Sequence, residues 1–196
     1  MSGRFNENLK EWSWDPVTWK KNSNTGLLHS NREYPKKFWH YSWDKRPKDI
    51  AGVLLLRKTD KDPTGHEVFV VQCYGDKFGF PKGKLNHKEN PLDGAKREFL
   101  EESGTLIDLK AQKELKIQDI RFKRNIVFYV HIVNKDFEIE TTPLADVEIT
   151  AFGWIGISKI KNINLSNLAK RVINRSINHL NIENELLVYN TKRRTM

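Results

Sequence analysis

A glycine-rich loop followed by a charged helix constrains this chain more than any other segment. The run GKLNHKENPLDGAKREFLEESGT covers residues 83–105. In its second half Leu92, Ala95 and Phe99 have the spacing of one helical face, and Gly104 is a natural helix end. Apolar segments precede and follow it. The order of strands, glycine-rich loop, helix and further strands predicts an α/β fold.

Five apolar segments are typical of strands in a folded core. A connection containing proline and glycine joins the first two, which are expected to form a hairpin. From Leu165 onward, apolar residues recur at the spacing of an amphipathic helix with a basic opposite face. The predicted strands have the sequences DIAGVLLLRK, HEVFVVQCY, LKIQDIRF, NIVFYVHIV and VEITAFGWIGI.

Composition restricts the classes of protein to which the chain can belong. Its 196 residues carry a formal charge of +9, which favours nucleic acid or polyphosphate partners. No apolar run is long enough for a membrane span, and the N-terminus lacks the pattern of a secretory signal. The single cysteine, Cys73, cannot form an internal disulfide. We therefore expect a cytoplasmic protein with no membrane contact.

Three glutamates on the central helix are the candidate metal ligands. Glu98, Glu101 and Glu102 are three and four residues apart, so their carboxylates project from one helical face. Hard oxygen donors of this kind suit Mg²⁺ or Mn²⁺. Arg97 is expected to pair with Glu89 and to fix the loop against the helix. The alternative is that the glutamates only line a solvated face.

The complete spacing resembles the signature of the Nudix hydrolases. The final position of that signature is usually aliphatic, and here it is Thr105. The resemblance implies a Nudix fold, with a mixed β-sheet between helices, and Mg²⁺ or Mn²⁺ as cofactor. It also implies a catalytic core over 49–160, preceded by an aromatic-rich segment (1–48) and followed by a basic helix and tail (161–196). The implied site comprises catalytic Glu101 and Glu102, metal ligands Glu98, Glu101, Glu102 and Gly83, and structural Glu89 and Arg97.

The flanks of the signature resemble the mRNA decapping branch of that family. VFVVQCYGDKFGFPKGK precedes it, and this match implies that Lys82 and Lys84 contact phosphates. In VEITAFGWIGI a glutamate stands six residues before a tryptophan, so the match implies that Glu148 is a catalytic carboxylate. Cellular decapping enzymes carry a longer helical domain ahead of the catalytic one. The short form resembles the decapping enzymes of large DNA viruses, which implies the host cytoplasm as its location if the source is a virus.

The resemblance implies that capped RNA is the substrate, cleaved to 7-methylguanosine diphosphate and 5′-monophosphate RNA. Aromatic faces suit a cationic methylated base, and cationic side chains suit the RNA phosphates. Packing of the aromatics onto the core and a solvated basic face are the alternatives. Other possible functions are hydrolysis of dinucleoside polyphosphates or inositol pyrophosphates, and an inactive RNA-binding module. Protein partners are not predicted. The candidate cap-base residues are Trp39, Tyr41, Trp43 and Asp44, and the candidate RNA-binding residues are Arg121, Lys123, Arg124, Lys170, Arg171 and Arg175.

Overall fold

The computed structural model describes residues 4–6, 11–13, 18–30, 49–73, 76–109, 113–119, 124–139 and 149–177. These residues contain eleven strands, two α-helices and one short 3₁₀ helix. The strands are β1 (Arg4–Asn6), β2 (Glu11–Ser13), β3 (Trp19–Lys21), β4 (Leu28–Ser30), β5 (Ile50–Lys58), β6 (His66–Cys73), β7 (Phe78–Gly79), β8 (Lys82–Lys84), β9 (Lys113–Asp119), β10 (Arg124–Val133) and β11 (Ile149–Gly156). The helices are α1 (Pro91–Ser103), the 3₁₀ helix (Ile157–Asn162) and α2 (Asn167–Ile177).

Nine of these strands form one mixed sheet. Its main path runs β3-β4-β11-β6-β5-β10-β9, with β7 paired to β6 and β8 paired to β5. The pairing of β10 with β5 is parallel, and the other pairings in the sheet are antiparallel. Strands β1 and β2 form a separate antiparallel pair. The predicted mixed sheet is confirmed.

One helix packs on each face of the sheet. Side chains alternate between the faces along a strand, so neighbouring residues of β5 enter different cores. Leu55 belongs to the cluster that contains Phe99 of α1, whereas Leu54 belongs to the cluster that contains Val172 of α2. All but the last residue of β5 is buried. Covering both faces explains why this segment is almost continuously apolar.

Helix α1 has the limits that the sequence predicts, and both ends are capped. The Asn90 side chain accepts a hydrogen bond from the backbone N–H of Leu92 (2.8 Å), and Pro91 fills the first helical position. At the other end Gly104 has φ 71°, and its N–H donates to the carbonyl of Leu100 (2.7 Å). The caps fix where the charged residues of the helix stand relative to the preceding loop.

Two features differ from the sequence expectations. The segment before α1, expected to be a loop, contains β7 and β8, which pair along their short lengths with β6 and β5. Within the N-terminal segment, β3 and β4 add two strands to the edge of the same sheet beside β11. The domain limits proposed from sequence stay predictions. No helix in the described part of the chain is long and apolar enough to cross a membrane.

Candidate active site

The loop between β8 and α1 passes directly over the helix. Strand β8 is held by β5, where Lys82 is paired with Gly52 and Gly83 with Ala51. A Cβ atom on Gly83 would overlap the carboxylate of Glu98. A side chain at this position would therefore displace the Glu98 carboxylate, because the backbone and the carboxylate occupy adjoining space.

Arg97 ties the loop to the helix through several hydrogen bonds. Its Nε and Nη2 donate to the two carboxylate oxygens of Glu89, at 2.9 and 3.0 Å. Nη2 also donates to the backbone carbonyl of Lys84 (3.0 Å). Nη1 donates to Glu98 (2.7 Å) and, at 3.3 Å, to Glu101. The ion pair that the sequence predicts between Arg97 and Glu89 is present, in the bidentate geometry that makes such pairs strong.

Glu89 is held in its ionised form. Hydrogen bonds from Arg97, together with the backbone N–H of Asn86 (2.8 Å), outweigh its partial desolvation and lower its pKa to about 2. The fork of Arg97 is correspondingly charged throughout the physiological range. Glu89 and Arg97 therefore form a fixed structural element that supports the loop.

Glu102 is the most buried of the three helix glutamates. Its residue is 5% exposed, and its Oε2 accepts a hydrogen bond from the backbone N–H of Lys82 (3.1 Å). The thiol of Cys73 lies 3.6 Å from Oε1. Burial raises the pKa of Glu102 to about 7, and the nearby Lys82 charge offsets only part of that effect. This carboxyl can therefore exchange a proton near neutral pH.

Glu98 and Glu101 lie in different environments on the same helix. Burial raises the pKa of Glu98, whose side chain is 12% exposed, although the Arg97 guanidinium opposes this rise. The Glu101 side chain is 43% exposed. The three glutamates thus range from buried to solvent-accessible along one edge of the loop.

This carboxylate set fits a hard divalent cation. The donors are all oxygens, and a buried carboxylate such as Glu102 is stabilised in its charged form by a cation. In the described part of the chain, no three His, Cys, Asp or Glu side chains are already arranged to hold a metal ion. Glu98 and Glu101 are drawn toward Arg97 instead. A cation at this site would therefore compete with Arg97 for the same carboxylates.

The remaining residues proposed from sequence lie on strand β8, on α2 and β10, or outside the described residues. Lys82 is half-buried beside Glu102, and Lys84 is exposed on the same strand. On α2, Arg171 is exposed, and Arg175 donates to the carbonyl of Lys116 (2.9 Å). Lys170 is half-buried on α2, and Arg124 is the first residue of β10. The candidates Trp39, Tyr41, Trp43, Asp44, Arg121, Lys123 and Glu148 lie outside the described residues.

Cys73 lies beside Glu102, although the sequence does not indicate that it is near the site. Cys73 lies in an apolar run and is expected to be a small buried hydrophobe. In the structure it is partly exposed, and its thiol is next to Glu102. The end of β6 reaches the last turn of α1, a long-range contact that local sequence patterns do not predict.

Comparison with known proteins agrees with this geometry. The NUDIX domain profile matches residues 45–175. The m7GpppN-mRNA hydrolase dcap-2 of Caenorhabditis elegans is 36% identical over 138 residues, which are 67% of this chain and 16% of that protein. The putative hydrolase 111R of Invertebrate iridescent virus 3 is 25% identical over 139 residues, 68% of this chain and 71% of that protein.

A solved structure supports the fold in the same way. The NUDIX domain of Shewanella oneidensis NrtR, complexed with ADP ribose, superimposes with a TM-score of 0.56 at 14% identity. The superposition covers 73% of this chain and 94% of that one, so the two chains share a fold. With the domain profile, the signature loop and the carboxylate-bearing helix in agreement, the chain belongs to the Nudix family of hydrolases.

Proposed function

We propose that the chain hydrolyses the 5′ cap of mRNA, releasing 7-methylguanosine diphosphate and RNA with a 5′-monophosphate. The observation that carries this substrate is the 36% identity over 138 residues with an m7GpppN-mRNA hydrolase. That relative is much longer, and the match spans 16% of it. The proposal therefore concerns the catalytic unit alone.

The metal site of this proposal consists of Glu98, Glu101 and Glu102, with the backbone carbonyl of Gly83. These oxygen donors would hold Mg²⁺ or Mn²⁺. A bound cation would neutralise phosphate charge and lower the pKa of a coordinated water molecule. Without a cation, Arg97 holds Glu98 and Glu101 near the loop through its bonds of 2.7 and 3.3 Å, and a bound cation would take over some of these contacts.

The protein also offers a group that can accept the proton of the attacking water. An ionised carboxylate can take up that proton, and a bound cation would hold Glu102 ionised although its pKa is about 7 without one. Water attack on a bridging anhydride breaks one P–O bond, and the leaving phosphate keeps the electron pair. Glu148, which lies outside the described residues, is the other candidate base.

Binding of the substrate chain would use the cations near the site and on α2. Lys82 and Lys84 stand on either side of Gly83, where phosphates of the cap bridge would lie. Arg171 and Arg175 give α2 an exposed cationic face. Phosphate contacts by such residues supply affinity without base specificity.

The test is a parallel assay of cap-labelled RNA, free cap dinucleotide and diadenosine tetraphosphate. We expect labelled 7-methylguanosine diphosphate to be released from capped RNA in the presence of Mg²⁺ or Mn²⁺, and no release with a chelator. The matched control is Glu101→Gln, which should remove activity without changing the fold measured by circular dichroism. Equal turnover of the two small compounds and capped RNA would contradict an RNA-directed enzyme.

A further inference from the structure

A pocket, here called the distal pocket, lies at the end of the sheet away from the loop between β8 and α1, here called the catalytic loop. It has a volume of about 480 Å³, and its wall includes Lys21, Arg57, Lys61, Phe69, Trp154 and Lys159. Pockets of this size hold small ligands in many proteins. No part of the active site proposed above lines it.

The sheet register places the distal pocket relative to the catalytic loop. Gly52 of β5 is paired with Lys82, whereas Arg57 is five residues further along the same strand. At about 3.3 Å per residue, the two positions are about 17 Å apart. Phe69 contacts Phe99 of α1, with ring centroids 6.0 Å apart, so the pocket opens on the α1 side of the sheet.

The walls of the distal pocket are held in place by the ion pairs of a buried arginine. Arg57 is 8% exposed and bonds to Glu67 and Glu138, both at 2.6 Å. Its guanidinium also lies over the ring of Trp154, 4.4 Å from the centroid. The two carboxylates of the lining are thus committed to Arg57, and they offset its charge and hold its guanidinium against the Trp154 indole.

The rim of the distal pocket has a surplus of positive charge. Lys21, Lys61 and Lys159 are exposed and come from three separate parts of the chain. Asp62, which lies behind Gly156, accepts hydrogen bonds from Ser158 (2.6 Å) and from Thr64. None of the three lysines forms an ion pair among the described residues. Three such cations around one opening favour a polyanionic ligand.

We propose that the distal pocket binds a nucleotide, with its phosphates at the three lysines and its base toward the wall of Arg57 and Trp154. Nucleobases stack on indole rings, and Trp154 is partly exposed, whereas Arg57, whose side chain is 10% exposed, supports that ring from one side. In the cell the nucleotide is either part of an RNA chain or free. The RNA source rests on the proposed function, in which the chain beyond the cap must extend away from the catalytic loop.

The experiment measures fluorescence anisotropy of a short uncapped RNA oligonucleotide, with a chelator present to prevent turnover. The test variant is Lys61→Glu combined with Lys159→Glu. We expect its affinity to fall by about tenfold or more and the slope of log affinity against log salt to decrease by about 2, because two phosphate contacts are lost. The matched control is Lys58→Glu combined with Lys135→Glu, which makes the same change in net charge outside the distal pocket.

Competition with ADP distinguishes the two sources of nucleotide. If ADP displaces RNA from the wild-type protein but not from the test variant, the site binds nucleotides in general. Variant-sensitive RNA binding without ADP binding assigns it to the RNA chain. If the test and control variants lose RNA affinity equally, or if neither loses affinity, the proposal that the distal pocket binds a nucleotide is overturned. Wild-type decapping is measured in parallel, so an inactive enzyme that still binds RNA through the pocket contradicts only the proposed function.

Discussion

The buried Glu102 carboxylate should make the metal-free protein less stable as the pH rises. Its ordinary pKa is 4.5, and burial raises this to about 7 in the folded protein. Between these values the folded state binds more protons than the unfolded state, so the free energy of unfolding decreases with increasing pH. At about 1.4 kcal/mol for each pKa unit, the full cost above pH 7 is about 3 kcal/mol.

Replacing Glu102 by glutamine removes this titration and keeps the shape of the side chain. The amide oxygen can still accept the N–H of Lys82. We expect Glu102→Gln to have the wild-type melting temperature near pH 4.5. At pH 8 it should melt higher, by up to roughly 6–12 °C for a chain of this size. The same variant should lose hydrolysis, so stability and activity change in opposite directions.

The assay is thermal unfolding of both proteins from pH 4.5 to 8.5, with chelator present. Glu101→Gln is the control, because it removes a charge from the same helix at a side chain that is 43% exposed. If the difference in melting temperature between Glu102→Gln and wild type did not vary with pH, the reasoning would be refuted. A Glu101→Gln variant with the same pH-dependent gain would also refute it. Added Mn²⁺ should raise the melting temperature of wild type more than that of Glu102→Gln.

Three further predictions concern the loop and its support. Arg97→Met removes charge-assisted bonds to three glutamates, so urea unfolding should show a loss of about 2–3 kcal/mol, and an unchanged midpoint would contradict the assigned role. Because the pKa of Glu89 is about 2, wild type should keep the stabilisation from this ion pair above pH 4.5 and lose it as the pH falls toward 2, a decline missing in the variant. Gly83→Ala should lower kcat by about 100-fold with the fold retained, since a Cβ displaces Glu98. Gly79→Ala is its control, because that Cβ would meet only Ser166 Oγ at 3.9 Å, and equal losses in both would count against the requirement for glycine.

The sequence predicts the central helix and its ion pair because their signals are local. Capping residues, glycine and helical spacing all lie within one short segment, and Arg97 is only eight residues from Glu89. The strands that flank the helix are predicted for a similar reason, since covering both faces of a sheet requires continuous apolar runs.

The environments of the glutamates could not be predicted in the same way. Glu98, Glu101 and Glu102 are equivalent in sequence, yet only Glu102 is fully enclosed. Its burial depends on Cys73, 29 residues away, and on the backbone of Lys82. The sequence does not predict the hairpin of β3 and β4. Each of these strands is three residues long, too short to show a clear alternation of apolar and polar residues.

The hairpin of β3 and β4 has a consequence for any attempt to isolate the catalytic unit. The family match begins at residue 45, but β4 is hydrogen-bonded to β11 through Leu28 and Phe152. Trp19 packs against Phe152 at 4.9 Å, and Leu27 is fully buried. A fragment that starts at residue 45 would leave β11 as an open sheet edge beside uncovered apolar side chains, a combination that promotes aggregation. The smallest well-behaved unit therefore begins ahead of β3, well before the family signature.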